Sequence, residues 1–158
     1  MADRILERIV AYLAGSLDLV LVFWVVPGDL LAVLTYGDAD LGGCPFTGRS
    51  TSGAVTFLIG SKGTWALVSW RSHRQGATAG STAEAEIVSL AEAGRRDTVP
   101  ITDLLEQILS RKVEAMLLTD SAAAKAAAEK GSSTTMRHLR KVHRILSARP
   151  VTSLMVPT

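Results

Sequence analysis

The sequence predicts an α/β domain, a mixed central sheet with helices on its faces, and three observations carry that expectation. Three β-rich runs, residues 30–36, 53–59 and 65–72, follow one another with no helical stretch between them. After residue 80 the pattern alternates: helix, strand at 113–119, helix at 121–129. Consecutive strands pair through hairpins, whereas a strand reached through a helix returns parallel, so the order βββαβα reads as a mixed sheet. The third observation is bulk. With 158 residues, 47% hydrophobic and 20% charged, the chain suits one domain with a real core.

The elements follow in order. Residues 2–14 place Ile5, Ile9, Tyr12 and Leu13 at helical spacing, and Gly15 is the stop signal. The apolar run 17–26 is broken by Asp18, closed by Pro27 and too short to span a bilayer. The mixed charges Asp3, Glu7 and Arg8 ahead of it do not suit a signal peptide. It reads as a buried strand. Between the second and third β-rich runs, Gly60-Ser61-Lys62-Gly63 is a hairpin signal. Ser81-Thr82-Ala83-Glu84 is a capping box opening a helix that runs to about Ala93. A second helix is expected over 100–109, with Pro100 near its first turn. Residues 113–119 form the fourth strand, and the alanine-rich helix 121–129 ends at Gly131. A basic helix over 136–148 and a last strand over 151–156 complete the reading.

Charge and cysteine narrow the function classes. The formal net charge is only +2, but no acidic residue follows Glu129, while Lys130, Arg137, Arg140, Lys141, Arg144 and Arg149 do. Such a segment suits either a polyanion held by its phosphates or a solvated helix face. Cys44 is the sole cysteine, which excludes an intrachain disulfide and a cysteine-rich zinc site. The expected setting is intracellular, a cytoplasmic particle or the nucleus, with no membrane partner. His73, His138 and His143 have no close metal spacing, and no Gly-Lys-Ser/Thr phosphate loop follows a strand.

Three carboxylates stand at places where elements end or begin. Asp38 and Asp40 are two apart on an extended segment, so both share one strand face and periodicity does not choose between them. Glu84 and Glu86 are two apart on a helix and diverge by about 200°. Glu84 serves the capping box, which leaves Glu86 free for chemistry. Asp120 ends the fourth strand, where it suits a helix N-cap as well as a ligand.

The words around these acids, LTYGDADLGG, RSTSG (49–53), SWRSHRQ (69–75), STAEAE (81–86) and LLTDSAAAK, resemble the ribonuclease H region of copia-type LTR retrotransposon polyproteins. The resemblance implies a ribonuclease H-like fold and selects Asp38, Glu86 and Asp120 as the catalytic, metal-holding acids. It implies Mg2+ (or Mn2+) as cofactor, an RNA/DNA hybrid as substrate, and the polymerase portion of the same polyprotein as partner. ERIVAYLAGSLDLVLVF resembles the junction that follows the polymerase, so residues 1–29 are expected to end a connection segment and 30–158 to form the ribonuclease H-like domain.

By the same resemblance Arg49, Ser50 and Thr51 touch the hybrid backbone or shape the turn into the second strand. Trp70 is expected in the core and Gln75 toward substrate. Arg137, Arg140 and Lys141 are expected on nucleic acid. The sequence departs from the family pattern where a fourth acid belongs: Arg140 stands there, with His143 nearby as an auxiliary ligand or proton carrier. Leu41 replaces a Trp of the pattern and Gly37 a Ser. The alternative that follows is a degenerate, non-cleaving remnant that at most binds nucleic acid.

Overall fold

The computed structural model describes residues 2–130. The elements are α1 (Ala2–Gly15), β1 (Leu31–Asp40), β2 (Thr51–Gly60), β3 (Trp65–Arg74), α2 (Thr82–Ala93), α3 (Val99–Leu109), β4 (Glu114–Leu118) and α4 (Ala122–Lys130). The sheet has the order β3-β2-β1-β4; β1 pairs antiparallel with β2 and parallel with β4, and β2 pairs antiparallel with β3. This is the mixed α/β sheet that the order of elements predicts. The basic helix and last strand expected beyond Gly131 lie outside the described residues.

Alternation along β1 and β3 sorts the side chains into two faces. Ser69, Arg71 and His73 of β3 turn toward the helices, where they meet Asp97 and Glu92. A Cβ at Gly37 of β1 would touch Leu90 and Ala93, so that glycine lets α2 approach the sheet closely. Val33, Ile87, Leu90, Met116 and Ala124 are buried in the core. Buried threonines stitch it as well: Thr98 donates to the Thr35 hydroxyl (2.9 Å), which lies 3.1 Å from that of Thr56. Each such buried hydroxyl is satisfied, which removes the cost of placing it there.

Two expectations change. The helices over 81–93 and 100–109 are joined without a break by a π-helical turn, Gly94–Thr98. Pro100 has no N–H and would crowd the carbonyl four residues back in a regular α-helix; the wider turn accommodates it. The turn also aims Asp97 and Thr98 inward, against β3 and β1. The apolar run 17–26 is not a buried strand. It touches the sheet through one antiparallel bridge, Trp24 to Trp65, and Leu17, Leu19, Val20, Val22 and Val25 are exposed. Hydropathy shows that such a run favours leaving water, but pairing beyond one bridge would have to continue along β3, and it does not.

The β2–β3 hairpin is fastened from outside. Asp29 accepts hydrogen bonds from Ser61 Oγ (3.1 Å), the Lys62 amide (2.9 Å) and the Thr64 amide (3.0 Å). Burial alone would push the Asp29 carboxyl up; the hydrogen bonds from Thr64, Lys62 and Ser61 outweigh it and hold the group at about 2. A Cβ at Gly60 would collide with this carboxylate, so the turn requires glycine there.

Candidate metal centre

Three elements deliver the acids to one place. β1 continues through Asp40, so Asp38 sits on a regular strand near its end. β4 lies beside β1 in parallel, with Tyr36 opposite Leu118, so Asp120 emerges just past the neighbouring strand end. Helix α2 begins at the Ser81 cap, whose side chain accepts from the Glu84 amide at 3.2 Å. The reciprocal half of the capping box is displaced by one residue: Glu84 Oε2 takes the Gly80 amide (2.8 Å) rather than that of Ser81. With Glu84 so occupied, Glu86 one turn in faces the strand ends.

Asp38, Glu86 and Asp120 each offer an oxygen within 4.8 Å of the other two. Among the described residues they are the group that meets closely enough to hold a cation. Glu86 is buried, Asp38 and Asp120 exposed. Burial raises the Glu86 carboxyl above its usual range; Asp38 and Asp120 raise it further, against a hydrogen bond from the Ala39 amide. Its Oε2 is buried without a hydrogen-bond partner. A desolvated carboxylate oxygen facing two further acids is costly by itself and is relieved by a cation, so this oxygen-only donor set fits Mg2+ or Mn2+. Asp40, on the same strand face, is not part of the group.

The neighbourhood braces these acids. Ser89 Oγ donates to the Asp38 carbonyl (2.5 Å) and lies 3.3 Å from the Gly53 carbonyl, tying α2 to β1 and β2 at the level of the site. The motif reading missed Ser89, although it follows Glu86 by three residues and so shares its helix face. Gln75 Nε2 donates to Ser52 Oγ and to the Ala85 carbonyl, both at 2.9 Å, and holds the turn that carries Glu86.

That arrangement corrects several residue roles. Gln75 is buried with its amide committed, so it does not face substrate. Ser50 is fully buried, its hydroxyl accepting from the Gly42 amide at 3.2 Å, so it shapes the turn into β2 and does not touch a ligand. Arg49 and Thr51 remain partly exposed beside it. Trp70 is not a core residue: it is 69% exposed, because β3 is an edge strand and Trp70 leaves the sheet on the side away from α2. Arg74, at the end of β3, reaches Cys44 Sγ at 3.7 Å. A hydrogen bond from the Thr47 side chain leads the contacts, Arg74 among them, that bring the Cys44 thiol down to about 6. Arg137, Arg140, Lys141 and His143 lie outside the described residues.

No protein-family model matches the chain. Two solved structures are similar to it. A ribonuclease H1 from the halophilic archaeon Halobacterium salinarum NRC-1 covers 74% of this chain and 75% of its own, at 19% identity and a TM-score of 0.49. LC11 ribonuclease H1, isolated from compost by a metagenomic approach, covers 74% of each chain at 16% identity and a TM-score of 0.46. Likeness at that level assigns neither activity nor substrate, so a functional reading has to come from the acids themselves.

Proposed function

We propose that this chain is a ribonuclease H-like nuclease that hydrolyses the RNA strand of an RNA/DNA hybrid, with Asp38, Glu86 and Asp120 holding divalent metal. The convergence of these three oxygens within 4.8 Å, on the residues the motifs single out, carries the reading. Two bound Mg2+ or Mn2+ ions would supply charge stabilisation for the attacking and leaving oxygens of an in-line displacement at phosphorus. The chain's own contribution is positional. Helix α2 presents Glu86, the Ala39 amide steadies its carboxylate, and Ser89 and Gln75 keep that turn from shifting against β1 and β2. Preference for RNA would rest on 2′-hydroxyls and helix shape rather than base identity.

The sequence motifs further support an origin in the polyprotein of a copia-type element, with residues 1–29 as connection and the polymerase portion as neighbour. The side chains Ile5, Leu6, Ile9, Val10, Tyr12 and Leu13 of α1 are all exposed, as suits a helix that lies against another domain. In this reading Arg49, Thr51, Arg137, Arg140 and Lys141 act on the nucleic-acid backbone, and His143 is auxiliary.

The test is cleavage of an end-labelled RNA/DNA hybrid with Mg2+ or Mn2+, beside an Asp38→Asn control. Wild-type cleavage that the control loses supports the assignment. Cleavage retained in Asp38→Asn refutes it, and a folded wild type that cuts nothing leaves the non-cleaving alternative.

A further inference from the structure

The sheet face opposite α2 carries a row of side chains that the proposed chemistry does not use. Residues directly opposite one another in an antiparallel pair project to the same side. Asp38 faces Gly53, which faces Ser72; one rung away, Tyr36 faces Val55, which faces Trp70; on the other side, Asp40 faces Thr51, which faces Arg74. The first of these rungs therefore begins at the acids and runs outward over a residue with no side chain. A Cβ at Gly53 would meet only the Asp38 carbonyl, at 3.9 Å, so the floor there is low and open. Beyond it stand an exposed indole and an exposed guanidinium. Two strand spacings across and two residues along place Trp70 about 12 Å from Asp38. That span equals three to four base-pair steps measured along the axis of a duplex.

We propose that this face carries a nucleic-acid strand away from the acids, with Trp70 stacking on a base or sugar and Arg74 holding a phosphate. The proposal rests on the nuclease reading and adds the path of the substrate to it. Charge favours this occupant. Asp38, at the β1 end of its rung, belongs to the group that metal would neutralise, and Arg74 on the outer strand sets a cation across from Asp40 on the next rung. A planar, sequence-tolerant stacking surface beside a cation is how proteins hold a strand without reading its bases.

The experiment is fluorescence anisotropy of a labelled RNA/DNA hybrid on the full chain with Ca2+, a hard cation that takes oxygen ligands, in place of Mg2+, across a salt series, with melting temperature and oligomeric state measured beside it. Trp70→Ala should weaken binding about 5- to 150-fold, the range for one lost base–aromatic stack, without changing the salt slope. Trp70→Phe should recover most of the affinity. Arg74→Ala should weaken binding and reduce the salt slope by about one unit. Melting temperatures should stay within about 2 °C of wild type, because an exposed side chain on an edge strand has little packing to lose. Unchanged hybrid affinity in Trp70→Ala overturns the proposal; if Asp38→Asn still abolishes cleavage, the nuclease reading survives that failure. A lower melting temperature or altered oligomeric state in Trp70→Ala, with binding intact, also overturns it and assigns the face a packing role. A wild type that binds no hybrid overturns both.

Discussion

Replacing Glu86 by Gln removes one of three negative charges that the fold forces together. In EDTA the variant should therefore be more stable than the wild type, although it loses a residue proposed for the active centre. At 4.8 Å two unit charges repel by about 0.9 kcal/mol in water and by about 3.5 kcal/mol at an effective dielectric constant of 20. Asp38 and Asp120 are exposed, so solvent screening puts each pair near the lower figure. Glu86 takes part in two such pairs, and relief from its own burial adds to them, for a gain of about 1–2 kcal/mol. In a chain of 158 residues that corresponds to about 3–6 °C in melting temperature. The direction agrees with the raised Glu86 carboxyl, since a group that resists ionisation in the folded state destabilises the fold once it is ionised. Mg2+ should reverse the order: at a hundred times its Kd it stabilises the wild type by about 2.7 kcal/mol, and the variant by far less. Thermal melts in EDTA and along a Mg2+ titration test this. A Glu86→Gln protein that melts below wild type in EDTA, or gains as much from Mg2+, would refute the reasoning.

Two stability predictions stand apart from the site. Asp29 has a folded pKa of about 2, below the ordinary aspartate value of about 3.9, so its contribution is fully present above about pH 4 and is lost as pH falls toward 2. Melting curves of wild type and Asp29→Asn should therefore converge between pH 4 and pH 2, and parallel curves would contradict the hairpin-clamp role. Ser110 closes α3 at φ +50°, where a side chain costs about 1–2 kcal/mol and glycine costs none. Allowing for the extra entropy glycine loses on folding, Ser110→Gly should gain about 0.5–1 kcal/mol in urea denaturation; a loss would show that the Ser110 side chain contributes something its backbone strain does not reveal.

Much of the fold was legible because its signals are local. The strands appear within one to four residues of the β-rich runs, Ser81 caps α2 as its spacing with Glu84 requires, and the parallel return of β4 follows from the helices before it. The bracing of the site was not legible in the same way. RSTSG and SWRSHRQ mark a functional neighbourhood, yet Ser50 and Gln75 turn inward to hold backbone, while Trp70, the residue expected inside, points out. A strand pattern gives alternation but not which of its two faces a helix will cover. The sequence also had no means of showing that Pro100 would be absorbed by a π-helical turn, or that the run 17–26 would meet the sheet at a single bridge.

The sequence by itself therefore determined the order of elements from β1 to α4, the mixed sheet, and the acids worth watching, since periodicity, caps and motifs act over a few residues. Only the tertiary structure decided that Asp38, Glu86 and Asp120 meet within 4.8 Å while Asp40 stays apart, and which neighbours hold them there. That outcome depends on β4 pairing with β1 and on α2 settling over Gly37, contacts between residues far apart in the chain whose geometry exists only once the whole core has closed.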